Sequence, residues 1–211
     1  MKQKRCVVIG SSPYTKPSDF SGQIQPGDYI VCADGGYLFA LQQGLRPELI
    51  VGDFDSSAFP YDYEGEIIRL PHQKDDTDTL YCVKECIRRG YNDFTFIGML
   101  GGREDHTYAN LCTLLYLSQQ DCCARLVSSE REIQMISHGR LEISHRQGLM
   151  FSIFPFGCRE CTVSLQGFLY ELKEGTLTAN FPLGVSNEIT SPNACLTVHR
   201  GTAVVFIGKS N

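Results

Sequence analysis

The hydrophobic and polar positions along this 211-residue chain change their pattern once. Up to about residue 128, short apolar runs alternate with longer segments whose apolar residues recur at helical spacing. The runs are predicted to be strands at 6–9, 29–33, 49–51, 67–70, 94–97 and 124–127, and the longer segments to be helices at 37–43, 77–89 and 106–118. Strands separated by helices are typical of a parallel sheet with helices on its faces.

Beyond Ser128 no convincing helical spacing follows, and short apolar runs are separated by turn residues. They predict strands at 133–136, 141–143, 149–154, 161–165, 196–199 and 203–207. This spacing is typical of a small antiparallel sandwich. The sequence therefore predicts an N-terminal parallel-sheet α/β (Rossmann-like) domain at 1–128 and a C-terminal antiparallel β-sandwich at 129–211.

Composition narrows the class of protein. A net charge of −5 argues against general attraction to nucleic acid or to an anionic membrane, and no apolar run is long enough to span a bilayer. The first apolar run is too short for a secretory signal, and four of the ten cysteines fall within apolar strands or helices, so we expect a reduced, cytoplasmic chain. The isolated C-x-x-C at 158–161 lacks a second pair at suitable spacing, which argues against a zinc site.

The first candidate for chemistry is the pair Asp53 and Asp55, which follows the strand 49–51 and Gly52. In an extended chain these side chains point to the same side and repel each other unless a cation lies between them. Hard oxygen ligands at a strand end suit Mg²⁺ that also contacts substrate phosphates. A polar turn explains the pair equally well, so the pair alone does not decide.

Three further polar clusters follow other predicted strands of the first domain. They are Asp34-Gly35-Gly36 after the second strand, residues 74–78 after the fourth, and residues 101–106 after the fifth. Parallel sheets bind ligands at the carboxyl ends of their strands. Because all the clusters converge on that edge, a ligand site is favoured over separate turns.

Each cluster also has a structural explanation. Gly35 and Gly36 either form a tight turn or let the backbone approach a nucleotide. Thr77 is a good helix cap, which leaves Asp78 less well explained because other carboxylates stand beside it. Asp105 is a possible cap for the helix that begins at His106.

Two basic residues suggest phosphate. Lys74 stands beside the acidic cluster, and Arg103 follows a flexible pair of glycines, so both are candidates for phosphate binding. The chain has no G-x-x-x-x-G-K-[ST] loop and no G-x-G-x-x-G fingerprint. Phosphate handling must then depend on a metal, these two cations and glycine backbone.

Together these motifs resemble the thiamine pyrophosphokinase family. The likeness lies in residues 34–36, 52–56, 74–78 and 101–106 and, far downstream, in Ser186-Asn187-Glu188. Their order and intervals match the family over nearly the whole chain. The resemblance implies a homodimer that converts thiamine and ATP into thiamine diphosphate and AMP.

The resemblance also implies roles for individual residues. Asp53, Asp55 and Asp78 would hold Mg²⁺ against the ATP phosphates, with Asp105 or one of these carboxylates assisting catalysis. The ATP-binding set implied in this way is Asp34, Gly35, Gly36, Lys74, Thr77, Arg103 and His106. Ser186 and Asn187 would contact thiamine from the second domain. Two alternatives remain open: another D-x-D metal- and nucleotide-dependent transferase, and a non-catalytic thiamine or nucleotide sensor.

Overall fold

The computed structural model describes residues 4–55 and 60–209, so Ser56 of the 52–56 motif lies outside the described residues. The chain divides into two compact units, Met1–Ser129 and Glu130–Asn211. Within the described ranges, no helix is long and apolar enough to cross a membrane.

The first unit alternates strands and helices as the hydrophobic pattern predicts. Its elements are β1 (Arg5–Ile9), a 3-10 helix (Pro17–Phe20), β2 (Tyr29–Ala33), α1 (Gly36–Gln42), β3 (Leu49–Gly52), β4 (Glu66–Arg69), α2 (Asp78–Arg88), β5 (Asp93–Ile97), α3 (Glu104–Ser118) and β6 (Cys123–Val127). The 3-10 helix is the one of these that hydrophobic spacing did not predict, because four residues are too few to show a period.

The six strands form a parallel sheet in the order β6-β5-β1-β2-β3-β4. Successive strands are added on one side of β1 as far as β4, and β5 and β6 are then added on its other side. The loops after β1 and β5 therefore leave the sheet at a point where the strand order reverses. Such a point is where open parallel sheets bind ligands.

The central strands are apolar because helices cover the sheet. Val7, Ile50 and Phe94 are fully buried, as expected for parallel strands. Cysteines also contribute to this core, since the thiols of Cys6 and Cys86 lie 3.5 Å apart and both residues are fully buried. Burial of Cys32, Cys82 and Cys86 confirms that cysteine serves there as a small hydrophobic residue, whereas Cys112, for which the same was expected, is exposed.

The second unit is made of antiparallel strands. They are β7 (Arg131–Ser144), β8 (Met150–Pro155), β9 (Glu160–Gln166), β10 (Leu172–Thr178), β11 (Asn187–Glu188) and β12 (Asn193–Gly208). The prediction of separate strands at 133–136 and 141–143, and at 196–199 and 203–207, was wrong. Gly139 and Gly201 interrupt the apolar pattern with positive φ, but the strand continues through each. The pattern also missed β10, which buries few of its residues.

Two long strands create the sandwich. The first part of β12 pairs with β9 and the last part with β8, while β7 pairs along the length of β12. The shift in register between Val198 and Thr202 separates the two parts. Phe151 of β8 and Val163 of β9 meet in one buried cluster with Leu196, which confirms the predicted antiparallel β-sandwich.

Candidate active site

A cavity of about 320 Å³ opens at the carboxyl ends of β2, β1 and β5, where the strand order of the sheet reverses. The predicted site residues that line it are Asp34, Thr77, Asp78, Arg103 and His106. The loops after separate strands and the starts of α2 and α3 therefore meet in one place, as the sequence predicted for an edge of a parallel sheet.

Close packing of α1 against β1 explains one of the two glycines that follow β2. A Cβ atom on Gly36 would lie 2.2 Å from the carbonyl oxygen of Ile9, so α1 approaches β1 too closely for any side chain there. Gly35 precedes the helix as its N-cap residue. The tight-turn explanation accounts for Gly36, and neither glycine lines the cavity.

Three carboxylates meet beside this cavity. Asp34, Asp53 and Asp78 each place an oxygen within 4.8 Å of the others, although they follow or begin three different elements. Asp53 also lies within the same range of Asp55 and His72. Asp53 therefore belongs to both groups. Asp34 is grouped with two of the predicted metal ligands, Asp53 and Asp78, whereas Asp55 is grouped only with Asp53 among them.

The geometry expected for Asp53 and Asp55 was wrong. β3 ends at Gly52, and Phe54 has a φ of 58°, so the chain turns instead of continuing as a strand. The backbone N–H of Asp55 donates to Asp53 Oδ1 at 3.3 Å within this turn. The two carboxylates are close because of a turn and not because an extended chain points them to one side.

Lys74 lies between two of the clustered carboxylates. Its Nζ is 2.5 Å from Asp53 Oδ2 and 3.0 Å from Asp78 Oδ1, and all three side chains are at most one-fifth exposed. The hydrogen bond from Lys74 lowers the pKa of Asp53. Burial works against the charge of Lys74, yet its contacts with both carboxylates outweigh burial and raise its pKa.

Asp78 is in a different electrostatic state from Asp53. Burial raises the pKa of Asp78 in spite of its contact with Lys74. Apart from the ion pair with Lys74 at 3.0 Å, Asp78 Oδ1 is sealed from solvent without a hydrogen-bond partner in the described chain. A buried carboxylate oxygen left in this state is stabilised by a further cation.

Two further residues of the 74–78 segment, Asp76 and Thr77, have protein partners. Asp76 accepts two hydrogen bonds from Lys84 Nζ, at 2.7 and 2.8 Å. Thr77 caps α2, and its hydroxyl oxygen accepts from the N–H of Leu80 at 3.1 Å. The capping prediction for Thr77 is thereby confirmed, and lysines supply much of the positive charge that the acidic segment requires.

Arg103 and Asp105 form a pair at the start of α3. The guanidinium of Arg103 donates to both carboxylate oxygens of Asp105, at 3.1 and 2.6 Å, and this lowers the pKa of Asp105. The prediction that Asp105 caps a helix beginning at His106 was wrong, because α3 begins at Glu104 after Arg103 as N-cap. Arg103 lines the cavity, whereas Asp105 does not.

The second unit holds the other predicted residues. Ser186 has a φ of 58° and borders a separate hollow of about 530 Å³. The side chain of Asn187 is buried: its oxygen accepts from the N–H of Tyr170 at 3.0 Å and its nitrogen donates to the carbonyl of Tyr170 at 2.8 Å. Asn187 therefore fixes the backbone of an exposed aromatic residue.

Sequence reasoning missed several residues of the site region, including Asn110 and His72. Asn110 lines the cavity, and His72 Nδ1 lies 3.8 Å from Asp53 Oδ2. Asn110 follows His106 by one helical turn, so helical spacing from the motif was a usable signal. His72 stands in a loop, where spacing gives no such signal.

Family models match both units. The thiamin pyrophosphokinase catalytic domain matches residues 22–126, and the thiamin pyrophosphokinase vitamin B1 binding domain matches residues 139–202. Two relatives cover almost the whole chain. The thiamine pyrophosphokinase of Bacillus subtilis is 24% identical over 96% of this chain and 98% of its own length. Thiamin pyrophosphokinase 1 of Caenorhabditis elegans is 27% identical over 90% and 84%.

Solved structures share the fold. The crystal structure of the Bacillus subtilis thiamine pyrophosphokinase superposes with a TM-score of 0.88 at 22% identity, covering 99% of this chain and all of that one. Thiamin pyrophosphokinase from Candida albicans superposes with a TM-score of 0.82 at 17% identity, covering 99% and 90%.

Proposed function

We propose a residue-level account of how this chain, which belongs to the thiamin pyrophosphokinase family, transfers a pyrophosphoryl group from ATP to the hydroxyl group of thiamine. The products of that transfer are thiamine diphosphate and AMP. In this account the first unit binds ATP and carries out the transfer, and the second unit binds thiamine.

One observation carries the proposal: three carboxylates from separate elements meet beside a cavity, and one of their oxygens is buried without a hydrogen bond. This set of hard oxygen donors fits Mg²⁺, with Asp53 and Asp78 as ligands and Asp34 and Asp55 as the nearest further donors. Bound there, Mg²⁺ would supply charge neutralisation for the phosphates. The carboxylates themselves fix the position at which that charge is held.

Two cations of the protein act on the phosphates in this proposal. Lys74 already touches Asp53 and Asp78, so its ammonium group can reach any phosphate that approaches those carboxylates. Arg103 lines the same cavity, and its planar guanidinium suits two phosphate oxygens at once. Asp105 holds that guanidinium through two hydrogen bonds, so we assign it the role of orienting Arg103.

Of the other predicted ATP contacts, some line the cavity and others do not. Thr77 and His106 line the cavity and are retained as ATP-binding residues. Gly36 is assigned to the packing of α1 against β1, and Gly35 to the N-cap position of that helix. Thiamine binding is assigned to the surface near Ser186, with Asn187 positioning Tyr170.

A homodimer and a cytoplasmic location complete the proposal. The second unit exposes more than half of each of several large apolar side chains, which supports burial against a second copy. They are Leu169, Tyr170, Phe181, Leu183 and Val185. All ten cysteines are free thiols, which supports a reducing compartment. Sedimentation equilibrium tests the dimer, and a monomer at micromolar concentration would refute it.

The metal assignment is tested by Asp53→Asn, which keeps the shape of the side chain and removes its charge. We expect thiamine diphosphate formation at saturating Mg²⁺ to fall by about 100-fold or more. The reason is that Asp53 is the residue shared by the two groups of candidate metal ligands. Asp62→Asn is the matched control, since Asp62 is an exposed turn residue in the same unit. Equal activity of the Asp53 and Asp62 variants would refute the assignment of Asp53 as a metal ligand.

A further inference from the structure

Asn110 is a buried polar residue that lines the cavity of the first unit. Its exposed fraction is 9%, and it lies on α3 one turn beyond His106. Buried carboxamides in proteins normally satisfy both their donor and their acceptor groups. Asn110 departs from that rule, because within the described part of the chain its hydrogen bonding is limited to a single bond.

That single bond fixes the orientation of the carboxamide. Nδ2 donates to the carbonyl oxygen of Met99 at 3.0 Å, and a carbonyl can only accept, so the nitrogen must face Met99. The carboxamide oxygen therefore faces away from Met99. The side-chain atoms sealed from solvent without a partner in the described residues are Arg5 Nη1, Gln23 Oε1 and Asp78 Oδ1. Since Asn110 Oδ1 is not sealed, it opens into the cavity.

The nucleotide is the ligand that fits this acceptor. The residues matched by the vitamin B1 binding domain, 139–202, lie in the second unit, whereas the cavity belongs to the first. It also lies where the strand order reverses, the usual position of a nucleotide on a parallel sheet. The phosphates of ATP carry only acceptors at neutral pH, so they cannot satisfy Oδ1. The donors of ATP are the ribose hydroxyls and the adenine amine.

We propose that Asn110 Oδ1 accepts a hydrogen bond from the nucleoside part of ATP and so helps to select this nucleotide. The inference rests on the proposed function in that it takes ATP as the ligand of this cavity. The donor is an O–H or N–H group of the nucleoside, either a ribose hydroxyl or the exocyclic amine of adenine. The bond from Asn110 to Met99 prepares the acceptor, because it holds the carboxamide in one orientation before ligand binds.

A purely structural role is the alternative. In that case Asn110 only holds the loop between β5 and α3 through Met99, and its loss would weaken the binding of every nucleotide alike. The two roles differ in how the effect of the variant depends on the nucleotide. If Asn110 contacts the nucleotide directly, Asn110→Ala has no further effect on an analogue that already lacks the donor.

The test combines the Asn110→Ala variant with four nucleotides. Binding of ATP, 2′-deoxy-ATP, 3′-deoxy-ATP and purine riboside triphosphate is measured by calorimetry with Mg²⁺ and without thiamine. We expect Asn110→Ala to weaken ATP binding about 5- to 10-fold, the effect of one hydrogen bond. Wild-type protein should bind one of the three analogues more weakly by a similar factor, and that analogue should bind equally to both proteins. Thr113→Val is the control, because Thr113 is buried on α3 and, among the described residues, its hydroxyl bonds only within the helix.

Three results would overturn the proposal. The first is equal weakening of all four nucleotides by Asn110→Ala, which is the structural outcome. The second is unchanged ATP binding by that variant. The third needs only wild-type protein: if all three analogues bind as tightly as ATP, no nucleoside donor is recognised, even if the variant fails to fold. Absence of thiamine diphosphate formation would instead count against the proposed function, since these binding measurements need no turnover.

Discussion

Lys74 is the residue whose replacement tests the electrostatics of the site most sharply. Its ammonium group lies 2.5 Å from Asp53 and 3.0 Å from Asp78, between carboxylates proposed to hold Mg²⁺. A divalent ion entering this site must displace or share these contacts. We therefore predict that Lys74→Met binds Mg²⁺ more tightly than the wild-type protein when nucleotide is absent.

The size of the effect follows from the contact that is lost. A hydrogen bond to a charged group contributes about 1.5–3 kcal/mol, and the metal no longer has to compete with it in the variant. Mg²⁺ should then bind roughly 10- to 100-fold more tightly. The nucleotide-free variant should also be less stable by about 1–3 kcal/mol, because two partly buried carboxylates lose their counter-charge.

The pH dependence of this stability has a definite sign. The pKa of Asp53 is lowered in the folded protein, so its contribution is present above the pKa of the unfolded chain and is lost as pH falls through the folded value. The pKa of Lys74 is raised, so its contribution persists until pH rises through that higher value. The difference in unfolding free energy between wild type and Lys74→Met should be largest at neutral pH and shrink in acid.

The assay is thermal unfolding against Mg²⁺ concentration. A ligand of the folded state at free concentration L stabilises it by RT ln(1 + L/Kd), so that tighter binding gives a larger stabilisation at a given Mg²⁺ concentration. Lys84→Met is the matched control because Lys84 pairs with Asp76 in the same acidic segment, at 2.7 Å. Tighter binding by the Lys74 variant alone supports the account. Equal Mg²⁺ affinity in wild type and Lys74→Met, or equal gains in both variants, would refute the reasoning.

Three further predictions concern stability, measured by urea unfolding. Thr77→Ala should lower the unfolding free energy by about 1 kcal/mol through loss of the α2 cap, and Thr77→Ser should restore it. Asn187→Ala should lower the unfolding free energy by about 1–3 kcal/mol, because the backbone N–H and carbonyl of Tyr170 both lose a partner. Asn187→Asp should recover only the hydrogen bond in which the side-chain oxygen accepts from the N–H of Tyr170. Asp19→Ala should cost about 2 kcal/mol, since its buried carboxylate accepts from the N–H of Ser129 at 2.7 Å; an unchanged midpoint in any of the three contradicts the assigned contact.

The first unit was largely predictable because its central strands are buried on both faces. Continuous apolar runs such as 29–33 match β2 residue for residue, and Gly44 and Gly90 mark the ends of predicted helices. The second unit was harder to predict, since local turn residues such as Gly139 suggested breaks that strand pairing overrides. β10 escaped because its side chains are mostly exposed and leave no apolar period.

The site shows the same division between local and tertiary information. The convergence of Asp34, Asp53 and Asp78 at one edge follows from the parallel sheet, which the alternation of elements predicts. The turn at Phe54 was one of two interpretations of the local sequence, whereas the position of Lys74 between two carboxylates depends on long-range packing, which no local pattern encodes. Asn110 lay within reach of helical spacing, yet its open acceptor is visible only once Met99 is placed beside it.

The most direct test of the central claim is the identity of the products. The protein is incubated with ATP, Mg²⁺ and thiamine, and the phosphorus species are followed by ³¹P nuclear magnetic resonance. We expect AMP and thiamine diphosphate to appear in equal amounts as ATP is consumed. Formation of ADP with thiamine monophosphate, or no consumption of ATP, would contradict it.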